Sequence, residues 1–340
     1  MKNIFKYMAG VLIAGFAITA CSPEEFDGAN GNIPQLAEQE DQARLDLAQL
    51  VAEGDRLAFS TDSYVIDPLF FPGGNIGKLA ICGTANDVAV SGAIPRYLSC
   101  GFILEEGLPM ETLKAVVTSM AETARAAGIA IVTGDTKVVQ RGAADKLFIN
   151  TAGMGAIPAN IHWGAQTLTA GDVLLVSGTL GDHGATILNL REQLGLDGEL
   201  VSDCAVLTPL IQTLRDIPGV KALRDATRGG VNAVVHEFAA ACGCGIELSE
   251  AALPVKPAVR GVCELLGLDA LNFANEGKLV IAVERNAAEQ VLAALHSHPL
   301  GKDAALIGEV VERKGVRLAG LYGVKRTLDL PHAEPLPRIC

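Results

Sequence analysis

The chain has 340 residues, of which 49% are hydrophobic and 4% aromatic, and its net charge is −12 at pH 7. This length accommodates two domains of ordinary size. The acidic charge argues against a general nucleic-acid-binding surface, which needs a basic footprint, so we expect no nucleic-acid partner. Eight cysteines are too few and too irregularly spaced for a disulfide scaffold in a chain this long, which favours thiols in a reducing compartment.

The first 35 residues differ in character from the rest. A basic start precedes an apolar run over residues 8–20, and Cys21 follows the small residues that end this run. This pattern resembles a bacterial lipoprotein signal in which Cys21 carries the lipid, although the run is short for a membrane span. The alternative is an apolar helix of the folded domain. We interpret residues 1–35 as a leader-like segment.

The next part of the chain alternates between strand and helix patterns. Apolar residues recur at helical spacing after Pro109, and Gly128 is a typical helix stop. The patterns predict strands over residues 57–66, 97–104, 129–133 and 147–151, and helices over residues 77–92 and 109–128.

A domain boundary is predicted within residues 157–169, and a similar alternation follows it. Here the patterns predict strands over residues 173–176 and 279–283, and helices over residues 205–214, 231–241 and 287–296. Strands and helices mix in both halves, so the predicted fold class is α+β with two domains.

Four segments place Asp or Asn at predicted strand ends, namely residues 61–63, 85–87, 133–137 and 224–230. Carboxylates suit Mg²⁺, which prefers oxygen ligands and bridges nucleotide phosphates. Lys137 beside Asp135 can meet a phosphate as a point charge, and Gly229-Gly230 at a helix start can present backbone N–H groups to an anion. Each segment alone is typical of a turn or a helix cap. Together they favour a nucleotide-phosphate site.

Two further features carry candidate chemistry. Glu276 precedes the predicted strand at Leu279, where burial would raise its pKa and suit it to act as a base; the alternative is a surface turn with a Glu–Lys pair. The chain ends in Cys340 after a proline-rich stretch, which disfavours helix and central strand. From His332 onward, the extended tail spans roughly 30 Å, so its thiol is able to visit a partner and return.

Residues 36–340 closely resemble the HypE family, the carbamoyl dehydratases of [NiFe]-hydrogenase maturation. The resemblance lies in Thr61–Tyr64, Ala85–Ala93, Gly134–Val139, Arg224–Gly230, Asn275–Gly277 and the terminal Pro337–Cys340. The internal motifs are shared with a superfamily that includes aminoimidazole ribonucleotide synthetase and selenophosphate synthetase. The terminal motif distinguishes the HypE family within it.

The resemblance implies a domain plan and a dimer. An N-terminal ATP-binding and dimerisation domain (residues 36–157) closes a β-barrel with its copy, an α+β domain (residues 158–330) packs beside it, and a mobile tail (residues 331–340) carries Cys340. The implied cofactors are ATP and Mg²⁺. The implied partners are the carbamoyltransferase HypF, the HypC–HypD scaffold complex and a second copy of the chain.

The resemblance also implies residue roles. Cys340 receives a carbamoyl group, ATP activates the carboxamide oxygen, and loss of phosphate leaves an S-cyanide that supplies the hydrogenase iron. Glu276 is the implied base, and Lys137 stabilises charge or assists proton transfer. Asp62, Asp87 and Asp135 are the implied metal ligands of Mg²⁺–ATP, and Asn86 and Asp225 support the nucleotide.

The chain departs from the family at its N-terminus. A glycine-rich segment that helps cover the phosphates is replaced by the leader-like residues 1–35. ATP and the maturation partners nevertheless favour a cytoplasmic location. Two other functions stay open at this point: another ATP-dependent synthetase or kinase of the superfamily acting on a small substrate, and a membrane-tethered, non-catalytic binding protein.

Overall fold

The computed structural model describes residue 45 and residues 47–196, 198, 200–331 and 338–340. The predicted leader-like segment, including Cys21, and residues 332–337 of the predicted tail lie outside the described residues. Within the described part of the chain, no helix combines the length and apolar character needed to cross a membrane.

The first half forms a four-stranded sheet in the order β1-β6-β4-β5. The β4–β5 pair is parallel and the other two pairs are antiparallel. The elements are α1 (Leu47–Glu53), β1 (Arg56–Tyr64), β2 (Phe70–Phe71), β3 (Gly74–Asn75), α2 (Ile76–Ala89), β4 (Ile94–Glu105), α3 (Met110–Ala127), β5 (Ala130–Val139) and β6 (Leu147–Ile157).

Local sequence explains where the two long helices of this half begin and end. The Asn75 side chain accepts hydrogen bonds from the backbone N–H groups of Gly77 (2.9 Å) and Lys78 (3.1 Å), which caps α2. Helix α3 ends at Gly128, whose φ of 69° lies in the left-handed region that glycine adopts without strain. Both helices bury apolar side chains against one face of the sheet.

The other face of this sheet is open. Successive strand residues point to opposite faces, so Leu57 and Phe59 of β1 lie on the face away from α2, and they are 57% and 67% exposed. Ile103 of β4 lies on the same face and is 44% exposed. Helix α1 contacts this face at Tyr97 of β4, whose hydroxyl donates to Gln49 Oε1 (3.2 Å), but the apolar side chains of Leu57, Phe59 and Ile103 remain exposed on it.

The second half forms a seven-stranded sheet in the order β13-β12-β9-β11-β7-β10-β8. Its elements are β7 (Val173–Val176), α4 (Asp182–Glu192), α5 (Thr208–Gln212), β8 (Val220–Asp225), α6 (Gly230–Cys242), β9 (Gly245–Ser249), α7 (Pro257–Leu266), β10 (Leu279–Val283), α8 (Ala288–His296), β11 (Ala305–Val311), β12 (Gly315–Ala319) and β13 (Lys325–Thr327). Short 3₁₀ turns connect several of them.

Helices cover both faces of the seven-stranded sheet. Along β7, Leu174 and Val176 pack toward α6, whereas Val173 and Leu175 pack toward α5 and α8. Helices α4 and α7 instead contribute Ile187 and Val262 to the core of the first half. The two halves thus share a packed interface, and the mixed sheets and helices confirm the α+β prediction.

The structure corrects two local predictions. The predicted helix over residues 205–214 is helical only from Thr208 to Gln212, because the Asn86 side chain bonds the Ala205 carbonyl and the Leu207 N–H in the non-helical segment before it. Of the four polar segments predicted at strand ends, only Asp225 ends a strand. Asp62 and Asp135 lie within strands whose ladders continue past them, and Asn86 and Asp87 lie within α2.

Candidate functional site

Four carboxylates from separate elements converge where the two halves meet. Asp62 lies on β1, Asp87 on α2, Asp225 at the end of β8, and Glu276 in the loop before β10. The Ser60 hydroxyl donates to Asp87 Oδ2 (2.8 Å), which joins β1 to α2. Strands β8 and β10 pair with Asp225 opposite Leu279, which brings the ends of both strands to one edge. We call these four residues the carboxylate cluster.

The carboxylates repel one another in a poorly hydrated setting. Burial and, next, the Asp87 carboxylate raise the pKa of Asp225 to about 7. Burial also raises the pKa of Asp62, with a further contribution from Asp87 and an opposing one from the Arg228 guanidinium. Ionisation of these carboxyl groups is therefore disfavoured, and a cation bound at the cluster would favour their ionised forms.

Glu276 is the most buried carboxylate of the cluster, with 2% of its surface exposed. Burial raises its pKa well above the usual value, and the nearby Cys204, Asp203 and Asp225 raise the pKa further. Its Oε1 atom and Oδ1 of Asp225 are buried without a hydrogen-bond partner. Such orphaned acceptors are costly unless a ligand satisfies them.

Asp203 fixes the backbone that carries Glu276. Its carboxylate accepts hydrogen bonds from the N–H groups of Glu276 (3.1 Å) and Gly277 (3.2 Å) and pairs with Lys278 Nζ (3.2 Å). Although burial opposes ionisation, Lys278 and these bonds hold the pKa of Asp203 below its usual value. At Gly277 a Cβ atom would lie 2.0 Å from the Asp203 carbonyl oxygen, so this close approach requires glycine.

The Asn86 side chain makes two hydrogen bonds to the backbone of the second half. Its Nδ2 donates to the Ala205 carbonyl (3.0 Å), and its Oδ1 accepts from the Leu207 N–H (2.8 Å). The side chain is buried and joins α2 to the segment that follows Asp203. Its predicted role in supporting the nucleotide stays a prediction.

Asp135 and Lys137 lie apart from the cluster. Both are exposed on the edge strand β5, where Lys137 Nζ pairs with Asp135 (3.0 Å). In strand order, β5 is three positions from β1, or about 14 Å at ordinary strand spacing. The register also puts both residues on the open face with Ile103, whereas Asp62 faces α2. The predicted roles of Asp135 and Lys137 stay predictions.

The last three residues dock against the first half of the molecule. The Val65 N–H donates to the main-chain oxygen of Cys340 (2.9 Å), just beyond the end of β1 and three residues after Asp62. The Ile339 side chain is 2% exposed, and the half-buried Cys340 packs against the same core. The terminal cysteine therefore reaches the strand that carries one of the clustered carboxylates.

Several residues at this site were not identified from the sequence. Ser202, Asp203 and His183 belong to none of the motifs identified in the sequence, and Arg228 lies within the motif Arg224–Gly230 without an assigned role. Their contacts join residues far apart in the chain: Asp203 and Glu276 are 73 positions apart, and His183 and Ile339 are 156 apart. Only the fold brings them together.

The arrangement has the donor chemistry of a hard-cation site, but the geometry is not preassembled. Among the described residues, no three or more His, Cys, Asp or Glu side chains are grouped so as to hold a metal ion. The carboxylates nevertheless fit Mg²⁺, because they are mutually repulsive oxygen donors and Asp225 has an unpaired buried oxygen.

Comparisons with known proteins give matches along most of the chain. The family model of the AIR synthase related protein N-terminal domain matches residues 39–157, and that of the C-terminal domain matches residues 169–320. A curated relative, carbamoyl dehydratase HypE of Escherichia coli (strain K12), is 99% identical over 307 residues, which are 90% of this chain and 91% of the relative.

Solved structures give similar matches. The crystal structure of E. coli HypE has a TM-score of 0.91 at 89% identity and covers 100% of this chain and 99% of that chain. A HypE structure in complex with ATP has a TM-score of 0.86 at 43% identity, covering 98% and 96%. A HypE–HypF complex has a TM-score of 0.79 at 48% identity, covering 81% and 90%.

Proposed function

Because the chain belongs to the HypE family of carbamoyl dehydratases, within the AIR synthase related proteins, we propose that it dehydrates a carbamoyl group held on the Cys340 thiol. The family assignment made from the sequence motifs is confirmed by these matches, and with it an ATP-dependent dehydratase activity in hydrogenase maturation. The observation that carries the choice of Cys340 is its hydrogen bond to Val65, beside the strand of Asp62.

The chemistry explains what the site must provide. The oxygen of a thiocarbamate amide is a poor leaving group, and phosphoryl transfer from ATP converts it into a good one. Loss of phosphate and of the two amide N–H protons then leaves the S–C≡N group. This sequence needs an acceptor for protons and positive charge around the phosphates.

We assign proton removal to Glu276. The acceptor is the ionised form of Glu276. Its burial and raised pKa support this role, because a raised pKa makes the ionised carboxylate a stronger base. Asp203 fixes the Glu276 backbone through the two N–H bonds described above, which supports a base of defined position. Cys340 is the covalent carrier.

Mg²⁺ would be held chiefly by Asp62 and Asp87, with Asp225 in support. When bound, it would neutralise phosphate charge and orient the triphosphate. The mutual repulsion of these carboxylates and the unpaired Asp225 oxygen support the assignment. The sequence analysis also predicted Asp135 as a ligand of Mg²⁺. Because Asp135 lies on the open face of the sheet, it would have to reach the metal ion from that face.

The open sheet face supports a homodimer. Leu57, Phe59 and Ile103 expose apolar surface there, and a second four-stranded sheet packed on it would bury that surface. Asp135 and Lys137 lie on the same face, so dimerisation would bring them to the subunit interface. In this arrangement Lys137 stabilises phosphate charge or assists proton transfer.

We infer the remaining partners from the family. HypF would carbamoylate Cys340 in an undocked position of the tail, and the HypC–HypD scaffold complex would receive the cyanide. A solved HypE–HypF complex supports the first of these contacts. Since ATP and these partners are cytoplasmic, we infer that the reaction takes place in the cytoplasm.

Mass spectrometry tests the proposed function. Cleavage before Asp329 releases a peptide, residues 329–340, in which Cys340 is the single cysteine. After incubation with HypF, carbamoyl phosphate and ATP, we expect this peptide to gain a carbamoyl group and then lose the mass of water. Cys340→Ala is expected to retain ATP binding without either change, whereas Cys242→Ala, a half-buried thiol of the second half, behaves as the wild type. A carbamoyl adduct that never loses water would contradict the proposal.

A further inference from the structure

His183 contacts the tail at a buried point that the proposed reaction leaves unexplained. The ring is fully buried at the start of α4, and its Nε2 lies 2.8 Å from the Ile339 carbonyl oxygen. Its Nδ1 lies 2.7 Å from Ser202 Oγ. The Phe71 ring packs against the imidazole edge-on, with centroids 5.3 Å apart.

The hydrogen-bond partners fix the tautomer of this histidine. A carbonyl oxygen only accepts, so Nε2 carries the proton and donates it to Ile339. Nδ1 therefore accepts from the Ser202 hydroxyl, whose oxygen in turn accepts from the Cys204 N–H (3.2 Å). The chain of donors runs in one direction, from Cys204 through Ser202 and His183 to the tail.

The contacts that the tail makes with charged side chains are more exposed. Arg338 Nε donates to the Val65 carbonyl (2.9 Å), and its guanidinium pairs with Asp145 (2.5 Å). Arg191 donates to the Arg338 carbonyl and, through Nε, to the Asp67 carbonyl (2.6 Å). Because water screens the charges of half-exposed pairs, the buried bond from His183 contributes more per contact to holding the tail.

The same short segment also braces Glu276. Ser202 orients His183, the adjacent Asp203 binds the Glu276 and Gly277 N–H groups, and Cys204 lies close enough to Glu276 to raise its pKa. Residues 202–204 thus fix both the histidine that holds the carrier tail and the backbone of the assigned base.

We propose that His183 is a positioning residue for the dehydration step, which docks the tail through the Ile339 carbonyl and thereby sets the position of Cys340 relative to Glu276. This inference rests on the proposed function for its purpose, but docking can be measured without turnover. His183 acts through the tail backbone and takes no part in the chemistry.

Alkylation of Cys340 measures docking directly. The full chain, with Mg²⁺–ATP present, is treated with iodoacetamide, and the modified fraction of peptide 329–340 is followed by mass spectrometry. His183→Ala is expected to speed alkylation of Cys340 about tenfold, the effect of losing one buried hydrogen bond. His183→Gln retains a side-chain donor and is expected to restore most of the protection. His296→Ala is the matched control, because His296 bonds a carbonyl (Ala304, 2.9 Å) away from the tail.

A second variant keeps the test decisive if His183→Ala folds poorly. Ile339→Ala alters only the tail, and removal of its buried side chain is expected to speed Cys340 alkylation to a similar degree while ATP affinity is unchanged. In single-turnover dehydration of carbamoylated protein, His183→Ala is expected to lower the first-order rate about tenfold at saturating ATP, with recovery in His183→Gln.

The outcomes separate the two hypotheses. Wild-type alkylation rates in both His183→Ala and Ile339→Ala, with ATP binding intact, would overturn the docking role even if the wild type forms thiocyanate. A protected Cys340 in a wild type that never forms thiocyanate would leave the docking role supported and overturn the proposed function.

Discussion

Asp225→Asn tests the electrostatics of the carboxylate cluster in the absence of nucleotide. The pKa of Asp225 is raised from 3.8 to about 7, by burial first and by Asp87 next. Asn has nearly the same shape but cannot ionise, and its amide can donate toward the neighbouring carboxylates. The substitution therefore removes one repelling charge without opening a cavity.

The pKa shift sets the size and the sign of the effect. The pKa of Asp225 is higher in the folded than in the unfolded protein, so Asp225 does not affect the free energy of unfolding at low pH, where it is protonated in both states. As the pH rises from about 4 to 7, the unfolded protein ionises more readily and the folded protein loses stability; above that range the loss stays constant. At about 1.4 kcal/mol per unit, the full shift corresponds to at most about 4 kcal/mol, of which roughly 3 kcal/mol develops between pH 5 and pH 8. We expect Asp225→Asn to gain stability relative to the wild type over this range.

Urea unfolding of the nucleotide-free protein at pH 5 and pH 8 measures this gain. Asp216→Asn, at an exposed position, is the matched control and is expected to show no pH-dependent difference from the wild type. With Mg²⁺–ATP added, the order should reverse, because the wild type then has the additional oxygen ligand. A stability difference for Asp225→Asn that does not change between the two pH values would refute the reasoning.

Two further predictions concern the frame of the site. Gly277→Ala would place a Cβ atom 2.0 Å from the Asp203 carbonyl oxygen, so we expect thermal unfolding to show a loss of about 2–4 kcal/mol in the free energy of unfolding. The control Gly261→Ala has open space around the new Cβ atom and should cost no stability, so equal melting temperatures for the two variants would contradict this expectation. Phe59→Glu on the open sheet face should give monomers in light scattering, whereas Leu265→Glu, at an exposed position of α7, should not. A dimer of Phe59→Glu would exclude this face as the interface.

Strong periodicity allowed much of the fold to be predicted. The buried strands Val173–Val176 and Leu279–Val283 match their predicted limits, because a short apolar run between polar ends is distinctive. Helix α3 also matches, since Gly128 is a clear stop. The predicted helix over residues 205–214 was wrong at its start, where the Asn86 side chain, 121 positions from Leu207 in the chain, bonds a non-helical segment.

The site was only partly accessible from the sequence. Glu276 and Asp225 were identified through family motifs, and their burial required the structure. His183 and Asp203 acquire their contacts only when the tail and the loop before β10 fold against them, and a local pattern carries no signal of such pairings. Asp135 on β5 and Asp62 on β1 lie on opposite faces of the sheet. The strand register decides this, and the sequence motifs alone do not indicate it.

The account depends on Glu276 removing protons from a carbamoylated Cys340 docked at the cluster. Infrared spectroscopy of a single turnover tests this most directly, because the C≡N stretch absorbs where protein does not, and a ¹³C-labelled carbamoyl group shifts the band. With saturating Mg²⁺–ATP, the wild type should develop the labelled nitrile band, and Glu276→Gln should bind ATP normally but form the band at least about a hundredfold more slowly. Formation of the band in Glu276→Gln at the wild-type rate would contradict the account.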